Sequence, residues 1–360
     1  MIPVYQPYFS GKEKEYVNQC LDSTWISSKG EFINRFEAGF AKFINVEYAT
    51  SVCNGTVAIH LAIEALGLQP GDEIIVPSLT YIASVNTIIQ SGLVPVFVDS
   101  LESSWNIDPA DVLRKITPKT KAVMAVHLYG LPCDMDALVS ICSMHNLLLI
   151  EDAAEAFGTY YKGQHVGTFG DIATFSFFGN KTITTGEGGM VVSKSKDLIE
   201  KAFHLKNQGV SFEREYWHDV VAYNYRMTNI CAAIGLAQLE SAPAIIEKKR
   251  QIAAWYQENL KGLPLITHDE LPDTTHSFWM CSIAVDDPVK RQPLRDYLKT
   301  FGVETRPLFY PAHTMPHTLR SETFPQAESL SSRGINLPSY PALTLEDVKY
   351  VSGKIRDFLE

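Results

Sequence analysis

The stretch Gly55-Thr-Val-Ala-Ile-His-Leu-Ala-Ile-Glu-Ala-Leu-Gly67, followed closely by Glu73-Ile-Ile-Val-Pro77, decides the fold of this chain. The first part places Val57, Leu61, Ala62, Ala65 and Leu66 on one helical face and stops at a glycine. The second is a short apolar run without alternation, as expected of a strand buried on both faces. The same unit recurs outward along the chain. Val94–Asp99, Ala122–His127 and Leu147–Glu151 read as further buried strands, with helices over Ala83–Gln90 and Met135–His145 between them. Phe175–Phe178 and Met190–Val192, joined through Gly186-Glu-Gly-Gly189, add two more. Apolar strands alternating with helices predict an α/β fold with a mostly parallel sheet covered on both sides.

The texture then changes. Thr228–Leu239 is apolar nearly all round and reads as a helix buried in the core or at a subunit interface. A charged helix over Ile246–Leu260 follows. Beyond it Pro264, Pro272, Pro288, Pro293, Pro307, Pro311 and Pro316 break the chain into short elements, before a terminal helix over Leu345–Leu359. The expected organisation is a large domain over 1–243 and a smaller α+β domain over 244–360.

With 360 residues the chain exceeds one small core, and 46% apolar and 20% charged residues are ordinary for a globular protein. A net charge of −10 argues against a nucleic-acid backbone or an anionic membrane as the main partner. The six cysteines are scattered, with no CxxC pair and no zinc spacing, so no metal site is expected. Met1-Ile-Pro-Val has neither the basic nor the apolar region of a secretion signal, and no run reaches the roughly 18 apolar residues of a membrane span. The expectation is a cytoplasmic protein.

Ligands of open α/β sheets bind at the carboxyl ends of the strands. Lys181 falls there, between the Phe175–Phe178 strand and a glycine turn. A cation in that setting must pair, lose its proton or react, and a desolvated lysine amine can form a Schiff base with an aldehyde. Asp152 follows another strand, with Glu151 and Glu155 as alternatives. A carboxylate at this point suits pyridoxal phosphate (PLP), whose ring nitrogen must stay protonated to draw electrons from a substrate. Gly55 and Thr56 open a helix whose free N–H groups could cradle a phosphate, although they also fit an ordinary helix cap. Tyr81 could stack on a ring or simply pack. Ser176 could donate a hydroxyl to phosphate.

Taken together, Asn54-Gly-Thr56, Pro77-Ser-Leu-Thr-Tyr81, Glu151-Asp-Ala-Ala-Glu-Ala156, Phe175-Ser-Phe-Phe-Gly-Asn-Lys181, Gly186-Glu-Gly-Gly189 and Tyr223-Asn-Tyr-Arg-Met-Thr228 resemble the PLP-dependent sugar aminotransferases of the DegT/DnrJ/EryC1/StrS group. The resemblance runs essentially end to end and implies the aspartate-aminotransferase fold (fold type I). Ser23-Thr-Trp-Ile-Ser-Ser-Lys-Gly30, Leu79-Thr-Tyr-Ile-Ala-Ser-Val-Asn86 and Thr305-Arg-Pro-Leu-Phe-Tyr-Pro-Ala-His-Thr-Met-Pro316 resemble a branch that uses GDP-linked sugars. That implies amino transfer from L-glutamate to C4 of GDP-4-keto-6-deoxy-D-mannose, in the making of surface polysaccharide such as O-antigen.

The resemblance also implies roles. Lys181 matches the Schiff-base lysine, Asp152 the partner of the ring nitrogen, and Tyr81 the stacking aromatic. Glu155 matches a position near the ring hydroxyl. Gly55, Thr56 and Ser176 match phosphate contacts. Asn224 matches a phosphate contact supplied by the neighbouring subunit, which implies a homodimer with shared sites. His313 falls in a substrate-side loop. Neither pattern nor resemblance identifies the group that holds the glutamate α-carboxylate, for which Arg226, Arg306 and Arg333 are open choices. Related dehydratases carry histidine where this chain has Lys181, which points to amino transfer. The remaining alternatives are a UDP- or dTDP-linked sugar substrate and a non-catalytic ligand sensor.

Overall fold

The computed structural model describes all residues, 1–360. The first strands are β1 (Tyr48–Val52), β2 (Glu73–Pro77), β3 (Val94–Val98), β4 (Thr120–Val126) and β5 (Leu148–Asp152). They are followed by the short pair β6 (Tyr160–Tyr161) and β7 (Gln164–His165), then β8 (Ile172–Ser176) and β9 (Gly189–Ser193). The later strands are β10 (Leu265–Thr267), β11 (Thr274–Thr275), β12 (Cys281–Val285), β13 (Arg306–Pro307) and β14 (Gly334–Leu337).

A seven-stranded sheet has the order β1-β9-β8-β5-β4-β2-β3. Its β2–β3, β2–β4, β4–β5 and β5–β8 pairs are parallel, whereas β9 runs antiparallel to both its neighbours. Six carboxyl ends therefore share one edge, and Gly189, at the start of β9, pairs there with both Val52 and Ser176. Alternate residues serve different cores. Met124, Ile150 and Val191 pack with helices Gly55–Leu66 and Ala83–Gln90, while Val123, Ala125 and Leu149 pack with Met135–His145. Both faces are covered, as the apolar runs require.

Helices form over Gly55–Leu66, Ala83–Gln90, Met135–His145 and Leu345–Leu359 as expected. The first starts where the Asn54 side chain accepts from the Val57 N–H at 3.0 Å, and ends at Gly67 with φ 73°. Two expectations need correction. The strand expected over Phe175–Phe178 lies earlier, at Ile172–Ser176. Phe177 still bonds to the Gly188 carbonyl, but Phe178 turns out to solvent, so the aromatic run outlasts the ladder. The two helices expected over Thr228–Leu239 and Ile246–Leu260 are one, Asn229–Leu260, with Pro243 inside. Proline removes one backbone bond, but Ala242 and Ile245 are anchored in the core on either side, and tertiary packing carries the helix through.

This helix is long and apolar enough, by length and composition, to cross a membrane. Its first half packs against Phe36 and Phe177 beside the large sheet, and its second half, from Ile252 to Leu260, packs under the four-stranded sheet β10-β12-β14-β13. The expected boundary at residues 243 and 244 falls within it.

Candidate active site

The carboxyl edge of the large sheet gathers most of the residues singled out by the sequence. Lys181 lies in the loop from β8 to β9, its side chain only 13% exposed. Its Nζ is 3.8 Å from Glu155 Oε1 and 3.8 Å from the centroid of the Trp279 ring. Burial lowers the affinity of this amine for its proton, while the nearby Glu155 and Asp152 carboxylates partly restore it. Glu155 is shifted the other way. Burial pushes its carboxyl up to about 7, against the opposing pull of Lys181 and of the Tyr129 N–H, which donates to Oε2 at 2.8 Å.

The three acids left open by the sequence separate cleanly. Glu151 is buried on the far side of its strand. Its oxygens accept from the backbone N–H groups of Gly167, Phe169 and Gly170 at 2.7–2.8 Å and lie 3.1 Å from His127 Nε2. Burial alone would raise that carboxyl, but these bonds hold it below its usual value. Asp152, the last residue of β5, faces the other way. Its Oδ2 accepts from Ser84 Oγ at 2.6 Å and its Oδ1 from the Ala154 N–H at 3.1 Å. Successive strand residues point to opposite faces, so of the two strand acids only Asp152 faces the side of the lysine, where Glu155 also lies.

Gly55 meets the end of β8 at close range. A Cβ built on it would stand 2.6 Å from Ser176 Cβ and 2.7 Å from Ser176 Oγ. Thr56 is exposed at the same helix start, and Ser176 is half-buried. Tyr81 is 55% exposed, its ring centroid 5.5 Å from that of Phe309.

Other expected residues stand apart. Asn224 is exposed, and its Oδ1 accepts from Arg226 Nε of the same chain at 2.9 Å. His313 is not brought to the lysine. It is buried between Phe97 and Phe324, with Nδ1 2.6 Å from Ser78 Oγ and Nε2 3.3 Å from Glu328 Oε1, a position that braces the Ser78–Tyr81 loop from behind. Arg306 is exposed on β13, and Arg333 is half-buried with its Nε unpartnered.

Sequence reasoning missed several neighbours. Trp279 stacks on Tyr129 (6.0 Å, 11°), and Tyr129 on Phe309 (5.2 Å, 24°), so an aromatic row runs from Lys181 to Tyr81. Tyr5 OH donates to the Lys181 carbonyl at 2.5 Å, and Trp279 Nε1 to the Asn180 carbonyl at 2.7 Å. Tyr129 lies just past the end of β4, so the strand-end rule could have found it. Nothing local marks Tyr5 or Trp279.

The residues fit PLP. A buried amine, a buried carboxylate fixed by two donors, and a glycine helix start too tight for a methyl group share one edge. Beside them Asn180 Oδ1 is buried without a partner. A mostly parallel sheet with this edge defines the class of PLP-dependent aminotransferases. The chain belongs to the DegT/DnrJ/EryC1/StrS aminotransferase family, whose model matches residues 7–356. It is 58% identical to a GDP-perosamine synthase of Escherichia coli O157:H7, covering 99% of this chain and 98% of that one. It is 54% identical to a GDP-perosamine synthase of Vibrio cholerae, covering 99% of both. Its fold is similar to that of a Streptococcus pneumoniae protein solved in a PLP form, with a TM-score of 0.95 at 25% identity, covering 99% of this chain and 98% of that one.

Proposed function

We propose that this chain moves the amino group of L-glutamate to C4 of GDP-4-keto-6-deoxy-D-mannose, giving GDP-perosamine and 2-oxoglutarate. The observation that carries the reading is the Lys181 amine, buried beside Glu155 and Asp152 at the carboxyl edge of the sheet. The choice of a GDP-linked sugar rests on the near-full-length identity to two GDP-perosamine synthases.

In this reading PLP supplies an aldehyde that takes up the amino group and a protonated ring that draws electrons from the substrate carbon. Asp152, oriented by Ser84 and the Ala154 N–H, is the partner of the ring nitrogen. The N–H groups at Gly55 and Thr56, with Ser176, hold the phosphate. Tyr81 would cover one face of the ring, and Glu155 would lie near its hydroxyl. Lys181 Nζ takes the proton from the glutamate α-carbon, and in the second half of the cycle the same amine delivers a proton to C4 of the sugar. Its lowered proton affinity suits both tasks.

The reading extends to an aspartate-aminotransferase-type fold with a large domain over 1–243 and a smaller α+β domain over 244–360, joined through the long helix. It also extends to a cytoplasmic homodimer in which Asn224 serves the partner's phosphate. The exposed Phe212, Tyr216, Trp217 and Val221 beside Asn224, with Phe9 and Trp25, support a surface covered by a second copy. His313 acts in this scheme through the Ser78–Tyr81 loop.

The test is a glutamate half-reaction followed by a panel of GDP-, UDP- and dTDP-linked 4-keto sugars, with products read by mass. Glutamate should bleach an absorbance that Lys181→Ala lacks, and the GDP-sugar should be aminated fastest. A Lys181→Ala protein with normal turnover, or a clear preference for a UDP- or dTDP-sugar, would overturn the assignment.

A further inference from the structure

The Asn180–Lys181 backbone is held by two side chains remote in sequence. Trp279 Nε1 donates to the Asn180 carbonyl at 2.7 Å, and Tyr5 OH to the Lys181 carbonyl at 2.5 Å. Trp279 is 4% exposed and is itself fixed by stacking on the fully buried Tyr129. The same indole that grips the backbone thus presents its face to the Lys181 amine, 3.8 Å from Nζ to the ring centroid. The only carboxylate oxygen paired with that amine, Glu155 Oε1, is also 3.8 Å away, beyond hydrogen-bonding range.

We infer that the face of Trp279 is the seat of the Lys181 ammonium whenever that amine is free and protonated, and that Trp279 is a positioning residue for the proton Lys181 carries. The inference rests on the reading of Lys181 as an amine that alternates between linked and free. An ammonium needs compensation when buried, but a directly bonded carboxylate could take its proton. An aromatic face attracts the cation and has no lone pair to accept that proton. The proton therefore stays on Nζ until a carbon acceptor is presented. The grip on the Asn180 carbonyl keeps the seat in register with the chain that bears the lysine, and Tyr5 steadies the next carbonyl from the other side.

The experiment measures how readily Lys181 is acetylated as a function of pH, read as mass gain on its peptide. It uses cofactor-free protein and protein carrying the cofactor after treatment with excess glutamate. Losing the ring makes the ammonium harder to keep, so Trp279→Leu should move the midpoint down by about one pH unit. Trp279→Met serves the same purpose if the leucine variant fails to fold. Trp279→Phe keeps a face but loses the N–H and should keep most of the wild-type midpoint. Tyr5→Phe loses a backbone grip only and should leave the midpoint in place. An unmoved midpoint in a folded ringless variant would overturn the proposal. So would an equal shift in the phenylalanine variant or in Tyr5→Phe, because backbone placement would then be the cause. A shift in the cofactor-free protein with no response to glutamate would leave the seat standing and remove the functional reading instead.

Discussion

Adding one methyl group at Gly55 should damage both the fold and the phosphate cradle. An alanine in a helix is ordinarily favoured over glycine by about 1 kcal/mol. Here the new Cβ would stand 2.6 Å from Ser176 Cβ and 2.7 Å from Ser176 Oγ. Carbon atoms pack at about 3.5–4.0 Å, so the overlap is about 1 Å. Ser176 closes β8, with its backbone paired to Gly189, and cannot swing clear as a long side chain would. Overpacking of this kind costs about 1–3 kcal/mol, which outweighs the helix gain. The net loss of up to about 2 kcal/mol, spread over an unfolding entropy of about 2.1 cal/mol/K per residue in a 360-residue chain, should lower the melting temperature by about 1–3 °C. The displaced first turn should also weaken PLP binding, measured by absorbance titration of the cofactor-free protein. The repair is specific. In Gly55→Ala/Ser176→Gly only the Ser176 Cα remains close, at 3.3 Å, and most of the lost stability should return. A Gly55→Ala protein that melts at or above the wild type, or a double variant no better than the single, would refute the steric argument.

Two further outcomes follow from buried polar groups. Ser84→Ala removes the 2.6 Å donor to Asp152 Oδ2, so the cofactor-free protein should lose about 1–3 kcal/mol in urea unfolding; an unchanged midpoint would mean that Asp152 does not depend on that hydroxyl. Burial lowers His165 and His268 from the ordinary 6.5 to about 4, and lowers His276 well below its ordinary value. Each binds its proton more readily unfolded than folded, so its contribution is complete above pH 6.5 and is lost as pH falls toward about 4. The stability measured by urea unfolding between pH 6 and 5 should drop by about 1.4 kcal/mol per pH unit for each such histidine; a flat profile would refute their neutral burial.

The sheet was legible because its strands are apolar on both faces and its helices end at residues such as Gly67. Strand ends were less so: Phe177 and Phe178 extend an aromatic run past the last ladder pair of β8, and composition carries no mark of where pairing stops. Asp152 was legible as a strand-end acid and by resemblance as the ring-nitrogen partner, and what sequence did not carry was the fate of its neighbour Glu151, which the pleat turns into a cage of backbone donors. His313 was read as a loop residue, whereas Ser78, Phe97 and Phe324 close around it, contacts from three distant segments that no local pattern encodes.

The same limit explains why the lysine's surroundings were half visible. Residues at strand ends follow a rule of topology, so Gly55, Asp152, Ser176 and Lys181 could be found by walking from strand to strand. Tyr5 and Trp279 come from the chain start and from just before β12, outside that sheet. They reach the lysine only because the elements that carry them pack over its carboxyl edge. The sheet therefore sets which groups meet at that edge, and the elements packed over it set how the amine among them is held. A substitution in the first set should change which chemistry is possible. In the second set, loss of the Trp279 ring should change the pH at which Lys181 gives up its proton while Tyr5→Phe should leave it in place, and that difference separates the seat of the amine from the grip on its backbone by measurement.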